Sequence, residues 1–188
     1  MANEVLVKVG TQILFADHSG DWAGGAAKTT LEVGTPTEVQ LDLTGLTDTN
    51  GRESAKADLG ATRAEAYSVM ASFEFAATPT TAATVDLFWA PSPVSAAANG
   101  NPMNIDGVDA AAPSGIGTIL ELKSACQFIG AFKTTDDPTT AIQTGFVGTL
   151  FPSERYGMLL VVNESGAAFH TDVVECCVAF NPIIREVQ

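Results

Sequence analysis

One stretch of the sequence decides the fold: Tyr67-Ser68-Val69-Met70-Ala71-Ser72-Phe73-Glu74-Phe75. An apolar side chain occupies every second position from Tyr67 to Phe75, and most of the positions between are polar. Because successive side chains of a β-strand point to opposite faces, this alternation predicts a strand with one face packed on a hydrophobic core.

Further apolar runs of strand length, separated by clusters of Gly, Pro, Asp and Thr, bring the expected number of strands to about eight. These other runs are Val5–Phe15, Glu38–Thr44, Val85–Trp89, Cys126–Phe132, Ala141–Phe151, Tyr156–Val162 and Val173–Phe180. The short connection between Tyr67–Phe75 and Val85–Trp89 predicts that these two strands form a hairpin. Gly145 and Gly148 are expected to mark a bend, a bulge or a close approach of two backbones.

The pattern contains no convincing helix, which predicts an all-β protein. Arg52–Glu65 is rich in helix-favouring residues, but Gly60 and the alternation around Ala57 favour an extended path. We expect an antiparallel β-sandwich, arranged as a jelly roll of two facing four-stranded sheets. An immunoglobulin-like sandwich is the alternative fold, although its Cys…Trp…Cys spacing is absent.

The length of 188 residues fits a single domain, 1–188. We expect a loose N-terminal tract, about 1–35, and a long loop at about 91–117 that holds four of the nine prolines. Loops of this length in compact domains are usually functional or mobile. The loop is therefore the first candidate for contact with a partner.

The charge balance argues against nucleic acid and against anionic membrane surfaces as partners. Nine Lys and Arg residues stand against 22 Asp and Glu residues, a net charge of -13. Binding to phosphates requires clusters of Lys and Arg, and none occurs here. The segment Met1–Val7 does not resemble a signal peptide, and no apolar run approaches the ~20 residues of a membrane-spanning helix. Cys126, Cys176 and Cys177 are expected to be reduced, buried side chains, as in a reducing compartment.

Residue types that carry catalysis or metal binding do not occur in the required patterns. The two histidines, His18 and His170, lack zinc-site spacing, and there is no Gly-x-Ser-x-Gly nucleophile elbow around Ser153. Asn104–Asp109 contains oxygen ligands but lacks the helices of an EF-hand. We therefore expect no enzyme activity, no catalytic residue, no metal and no cofactor.

Three tracts carry a resemblance to a known group of proteins: Ser54–Tyr67, Val85–Ser92 and Phe151–Gly157, with Val178–Pro182 in the last strand. They resemble small virion proteins encoded near the capsid genes of tailed bacteriophages. The resemblance spans most of the chain from Ser54 onward, and its motifs are not catalytic. It implies a capsid decoration, or cement, protein that is made in the host cytoplasm and located on the virion surface. It also implies a homotrimeric jelly roll whose partners are further copies of itself and the major capsid protein.

The candidate contact residues for the capsid or a neighbouring subunit are Trp22, Arg63, Pro102, Asn104 and Arg155. Trp22 lies in the N-terminal tract, and Pro102 and Asn104 lie in the long loop. Arg63 and Arg155 are rare cations placed beside apolar strands, which favours a role in ion pairs. The alternatives are a minor head–tail component or a glycan-binding module of a tail or fibre. Trp22 and Trp89 are the candidate sugar platforms of such a module, although Trp89 is better placed in the core.

Overall fold

The structure is a computed structural model that describes residues 5–8, 10–17, 30–61, 63–103, 105–111, 119–137, 142–171 and 176–187. Its strands are β1 Val5–Lys8, β2 Ile13–Ala16, β3 Thr37–Gln40, β4 Gly51–Glu53, β5 Ala57–Asp58, β6 Ala66–Phe73, β7 Thr84–Ser92, β8 Ala110–Ala111, β9 Gln127–Lys133, β10 Gln143–Leu150, β11 Tyr156–Glu164 and β12 Cys177–Val187. A short helix, α1, spans Ile119–Ala125. The all-β prediction is confirmed, while this helix was not expected from the sequence.

The strands form one continuous sheet in the order β3-β2-β12-β6-β10-β9-β7-β11-β4-β8. Two more strands pair outside this path, β1 with β12 and β5 with β11. All pairs are antiparallel except β2 with β3, which is parallel. The sheet is therefore mostly antiparallel, and it has more and shorter strands than the apolar runs indicated.

The predicted hairpin between β6 and β7 is wrong. β6 lies between β12 and β10, and β7 lies between β9 and β11. Residues of this connection form backbone hydrogen bonds with distant segments of the chain. Their N–H groups donate to distant carbonyl oxygens: Ala76 to Ala168, Thr80 to Ser165 and Ala82 to Thr134. The connection therefore crosses to another part of the sheet and does not close a tight turn.

The sheet curls until its two edges meet. Ala55, between β4 and β5, donates from its N–H to the carbonyl oxygen of Gln40 at the end of β3, at 2.9 Å. Next to β8, the Asp109 carboxylate accepts a bond from Asp42 N–H at 3.0 Å. The jelly-roll arrangement of two facing sheets is not confirmed, because the described strands belong to one curled sheet.

The hydrophobic core fills the inside of this curl. Its largest side chains are fully buried aromatic residues, with Phe15, Trp89 and Phe180 in mutual ring contact. Tyr67, Val69, Ala71 and Phe73 of β6 all belong to this core, as the alternation predicted. Trp89 is 0% exposed and therefore is a core residue.

Parts of the outer face are also covered. Leu31 covers Leu14, Ala16, Cys177 and Ala179, and Ile105 and Leu122 cover Phe88, Ala90, Met158, Leu160 and Val162. Cys176 packs inside and Cys177 outside, so the expectation that both are buried on opposite faces is confirmed. All three cysteines are free.

Other boundaries differ from the expected ones. The long loop expected at about 91–117 begins later, because β7 continues to Ser92, and β8 occupies Ala110–Ala111 within the expected range. Residues 104 and 112–117 lie outside the described residues. The stretch between the two strands, described at 93–103 and 105–109, is called the 93–109 loop. The last strand is longer than the run Val173–Phe180 indicated at its end, because β12 continues through Asn181 and Pro182 to Val187 and pairs there with β1. The extended path of Arg52–Glu65 is confirmed by β4 and β5.

Candidate interaction surface

The described residues hold no group of three or more His, Cys, Asp and Glu side chains that could bind a metal ion. His170 Nδ1 lies 3.8 Å from Glu74 Oε2, and Glu74 is 5% exposed although it lies between the apolar positions of the alternation. In the segment Asn104–Asp109, Asp106 accepts a bond from Val108 N–H and Asp109 from Asp42 N–H. His18 and Asn104 lie outside the described residues.

Two of the predicted contact residues, Arg63 and Arg155, lie at one end of the curled sheet. β10 ends at Leu150 and β11 begins at Tyr156, so the turn 151–155 lies at this end. β7 reaches the same place, because Ser92 is paired with Tyr156. The surface formed by the turn 151–155, the segment 58–65 and the start of the 93–109 loop is called the turn end.

Arg155 is held at the turn end by an ion pair with Asp58. Its Nε and Nη2 atoms donate to the two carboxylate oxygens of Asp58, each at 2.7 Å, and its guanidinium lies 5.0 Å from the centre of the Tyr156 ring. The hydrogen bond from Arg155 lowers the pKa of Asp58, and the same bond raises the pKa of Arg155. The two residues meet because Asp58 in β5 is the register partner of Tyr156 in β11.

Arg63 contacts the same turn. Its Nη2 atom donates to the carbonyl oxygen of Ser153 at 3.1 Å, and the residue is exposed. The structure therefore brings Arg63 and Arg155, which are distant in sequence, to the two sides of one turn. Of the other candidate residues, Pro102 is half-buried in the 93–109 loop and its carbonyl accepts a bond from Ile105 N–H, while Trp22 and Asn104 lie outside the described residues.

Lys56 fixes the start of the 93–109 loop, and sequence reasoning missed it. Its Nζ atom donates to Ser92 Oγ at 2.9 Å and to the carbonyl oxygens of Val94 at 3.2 Å, Ala96 at 2.7 Å and Asn99 at 2.9 Å. Desolvation by burial lowers the pKa of Lys56. Its acceptors are mostly backbone carbonyls, which leave no signal in the sequence.

The turn end carries exposed apolar side chains. Phe151 in the turn is 60% exposed, and Val94 at the start of the loop is 38% exposed. Met103, further along the loop, is 39% exposed. Phe128 on β9 and Phe146 on β10, which are 54% and 62% exposed, lie outside this end on strands of the sheet. An open cavity of about 490 Å³, lined in part by Asp58, Gly60 and Tyr67, also opens at the turn end.

The turn end combines two arginines held by hydrogen bonds with an exposed phenylalanine. Arginine and aromatic side chains are enriched where proteins bind each other. No described helix is both long and apolar enough to cross a membrane. Searches for similar proteins found no matching family model, curated protein or solved structure.

Proposed function

We propose that this chain is a non-enzymatic structural protein of a bacteriophage virion. Within that class we propose a capsid decoration protein, a homotrimer that binds the head surface and stabilises it. The proposal begins from the sequence resemblance, and the arrangement of the resembling tracts supports it.

The observation that carries the proposal is the convergence of three separate tracts at the turn end. Ser54–Tyr67 supplies Lys56, Asp58 and Arg63. Val85–Ser92 ends where the loop begins, and Phe151–Gly157 forms the turn with Arg155. Tracts that resemble virion proteins thus meet on one exposed surface, although the first and the last are about 90 residues apart in the chain.

The loop at this surface is ordered before any partner binds. Four hydrogen bonds from Lys56 hold its first part, which includes Val94. A loop that is already ordered loses little conformational entropy on binding, so more of the contact energy appears as affinity. A protein that must occupy many equivalent positions on a head benefits from such a rigid contact.

The test is binding to phage heads that were assembled without the decoration protein. The heads are mixed with wild-type protein, Phe151→Ser or Leu120→Ser and sedimented, and the bound chains are counted. Leu120, which is 75% exposed on α1, provides a matched loss of an exposed apolar side chain away from the turn end. We expect wild type and Leu120→Ser to saturate the heads equally, and Phe151→Ser to bind at least about tenfold more weakly, as for a central contact residue.

Absence of wild-type binding to such heads would contradict the decoration role. Equal binding by Phe151→Ser and wild type would contradict the assignment of the turn end as the contact. The alternative proposal, a glycan-binding module of a tail or fibre, now depends on Trp22, since Trp89 is enclosed in the core. Glycan-array binding that is lost in Trp22→Ala would favour this alternative.

A further inference from the structure

Glu53 is a buried acid on the outer face of the sheet. It lies in β4, its exposed fraction is 1%, and its register partners are Leu160 in β11 and Ala110 in β8. Ile105, which begins the segment Ile105–Asp109, packs on the same outer cluster as Leu160. Glu53 therefore lies beneath this segment, in largely apolar surroundings.

Among the described residues, the contacts of Glu53 include another acid and no cation. The N–H of Asp106 donates to Glu53 Oε1 at 3.4 Å, and the side chain of Asp106, an exposed residue, adds negative charge near Glu53. Glu53 Oε2 is buried and accepts no hydrogen bond within the described part of the chain. A carboxyl group that is buried with so few hydrogen bonds is more stable when it is protonated than when it is ionised.

The other charged and titratable groups around Glu53 do not compensate its charge. Arg52, its neighbour in β4, is directed to Asp42 and Asp109, at 3.4 and 3.6 Å. Asp109 adds negative charge near Glu53. On the side of β9, burial and the charge of Glu53 raise the pKa of the Cys126 thiol to about 12, so this group is neutral.

We propose that Glu53 is a proton-dependent latch: the segment Ile105–Asp109 lies on the sheet while the buried carboxyl group of Glu53 is protonated, and ionisation of that carboxyl group releases the segment. This property belongs to the isolated protein and does not depend on the proposed role in the virion. It makes the conformation of the loop sensitive to pH between 4.5 and about 8.

The direction of the pH dependence follows from proton linkage. Burial first, and then the contact with Asp106, raises the pKa of Glu53 from 4.5 to about 8. When the segment lifts, Glu53 meets water and its pKa returns to the ordinary value, so opening releases a proton between these two pH values. The opening equilibrium should therefore rise about tenfold per pH unit within this window and become constant above about pH 8.

Amide hydrogen exchange measured by NMR between pH 5.5 and 9 tests the latch. The Lys56 N–H donates to Gly107 O at 2.9 Å, so its protection reports on the segment, while the Leu41 N–H, bonded to Ala16 O at 2.8 Å, serves as a reference. After correction for intrinsic exchange, we expect the protection of Lys56 to fall about tenfold per pH unit up to about pH 8 and then to level off. The protection of the Leu41 N–H should change much less over the same pH range.

Two substitutions separate the latch from a general effect of pH. Glu53→Gln keeps a side-chain oxygen that can accept the hydrogen bond from the Asp106 N–H but does not titrate, so the protection of Lys56 should become independent of pH. Glu65→Gln removes an exposed carboxylate and should retain the wild-type slope. If Glu53→Gln does not fold, Asp106→Asn provides the test, because removing this neighbour should move the levelling point to lower pH.

A wild-type protection of Lys56 that is independent of pH would overturn the latch. The latch would also be overturned if the protection of the Lys56 N–H in Glu53→Gln fell with pH as steeply as in wild type. The same holds if Asp106→Asn left unchanged the pH at which this protection becomes constant. Because no heads are present in the experiment, its outcome is separate from the test of capsid binding.

Discussion

Arg155 and Asp58 form a two-bond ion pair that joins the turn 151–155 to β5, with both N–O distances at 2.7 Å. The pair fixes the guanidinium beside Tyr156, where one side of it remains exposed to a partner. The two residues are 97 positions apart, so the pair is a product of the fold and not of local sequence.

Arg155→Ala should reduce binding to heads and leave the fold nearly unchanged. Exposed ion pairs contribute little to stability, with a typical range of about 0–1 kcal/mol, so thermal unfolding should shift by only a few degrees. Binding should fall by about tenfold or more, because arginine is frequently a dominant contact in interfaces. Sedimentation with heads and a thermal melt measure the two effects. Asp58→Asn is the matched variant, because it retains Arg155 but weakens the contact that fixes the orientation of its guanidinium. Its binding to heads should lie between those of wild type and Arg155→Ala.

Lys56→Met should release the start of the 93–109 loop. The methionine keeps the volume of the stem but loses all four hydrogen bonds, which should lower the free energy of unfolding by about 1–3 kcal/mol. Limited proteolysis should then cut within 93–103 much faster than in wild type. Lys133→Met, at an exposed lysine in β9, is the control. Equal proteolysis of Lys56→Met and wild type would show that Lys56 does not order the loop.

Gly148→Ala should destabilise the sheet by about 2–3 kcal/mol. A β-carbon at Gly148 would overlap the backbone carbonyl of Ile129, and one at Gly130 would overlap that of Val147. Because both obstacles are backbone atoms, small side-chain movements cannot relieve them. Gly34→Ala is the comparison, because a β-carbon at Gly34 would meet no other atom. Its free energy of unfolding should fall by only about 1 kcal/mol, the cost of an alanine in the left-handed backbone conformation. Urea unfolding measures the free energy of unfolding of both variants. An equal decrease in the two variants would contradict the close approach of β9 and β10.

Phe146→Ser should weaken association between copies of the chain. Phe146 is the most exposed aromatic side chain on any described strand, and we expect contact between subunits to cover it. Light scattering should give about three times the chain mass of 19.5 kDa for wild type and a lower mass for the variant. A wild-type monomer at all concentrations would contradict a trimer that forms in solution.

The sequence predicted the fold class well because alternation reports directly on which face of a strand is buried. Tyr67–Phe73 lies with one face in the core, and Gly148 lies at a register shift between β10 and β6. Alternation does not report which strands are neighbours, which is why the hairpin between β6 and β7 was wrong. The helix Ile119–Ala125 was missed because it has only seven residues and buries Leu122 alone among them.

The candidate surface was predicted only in part. Arg63 and Arg155 could be selected because basic residues are rare in this chain and these two adjoin apolar strands. Asp58 could not be paired with Arg155 without knowing that β5 lies beside β11. Lys56 and Glu53 gave no signal, since their partners are backbone groups or residues of the distant loop.

The most direct test of the proposed function is an electron cryomicroscopy reconstruction of heads decorated with the wild-type protein. The account predicts density for this chain at regular positions on the head, with the turn that contains Phe151 and Arg155 against the capsid surface. Heads without such density, or with the turn end directed to solvent, would contradict it.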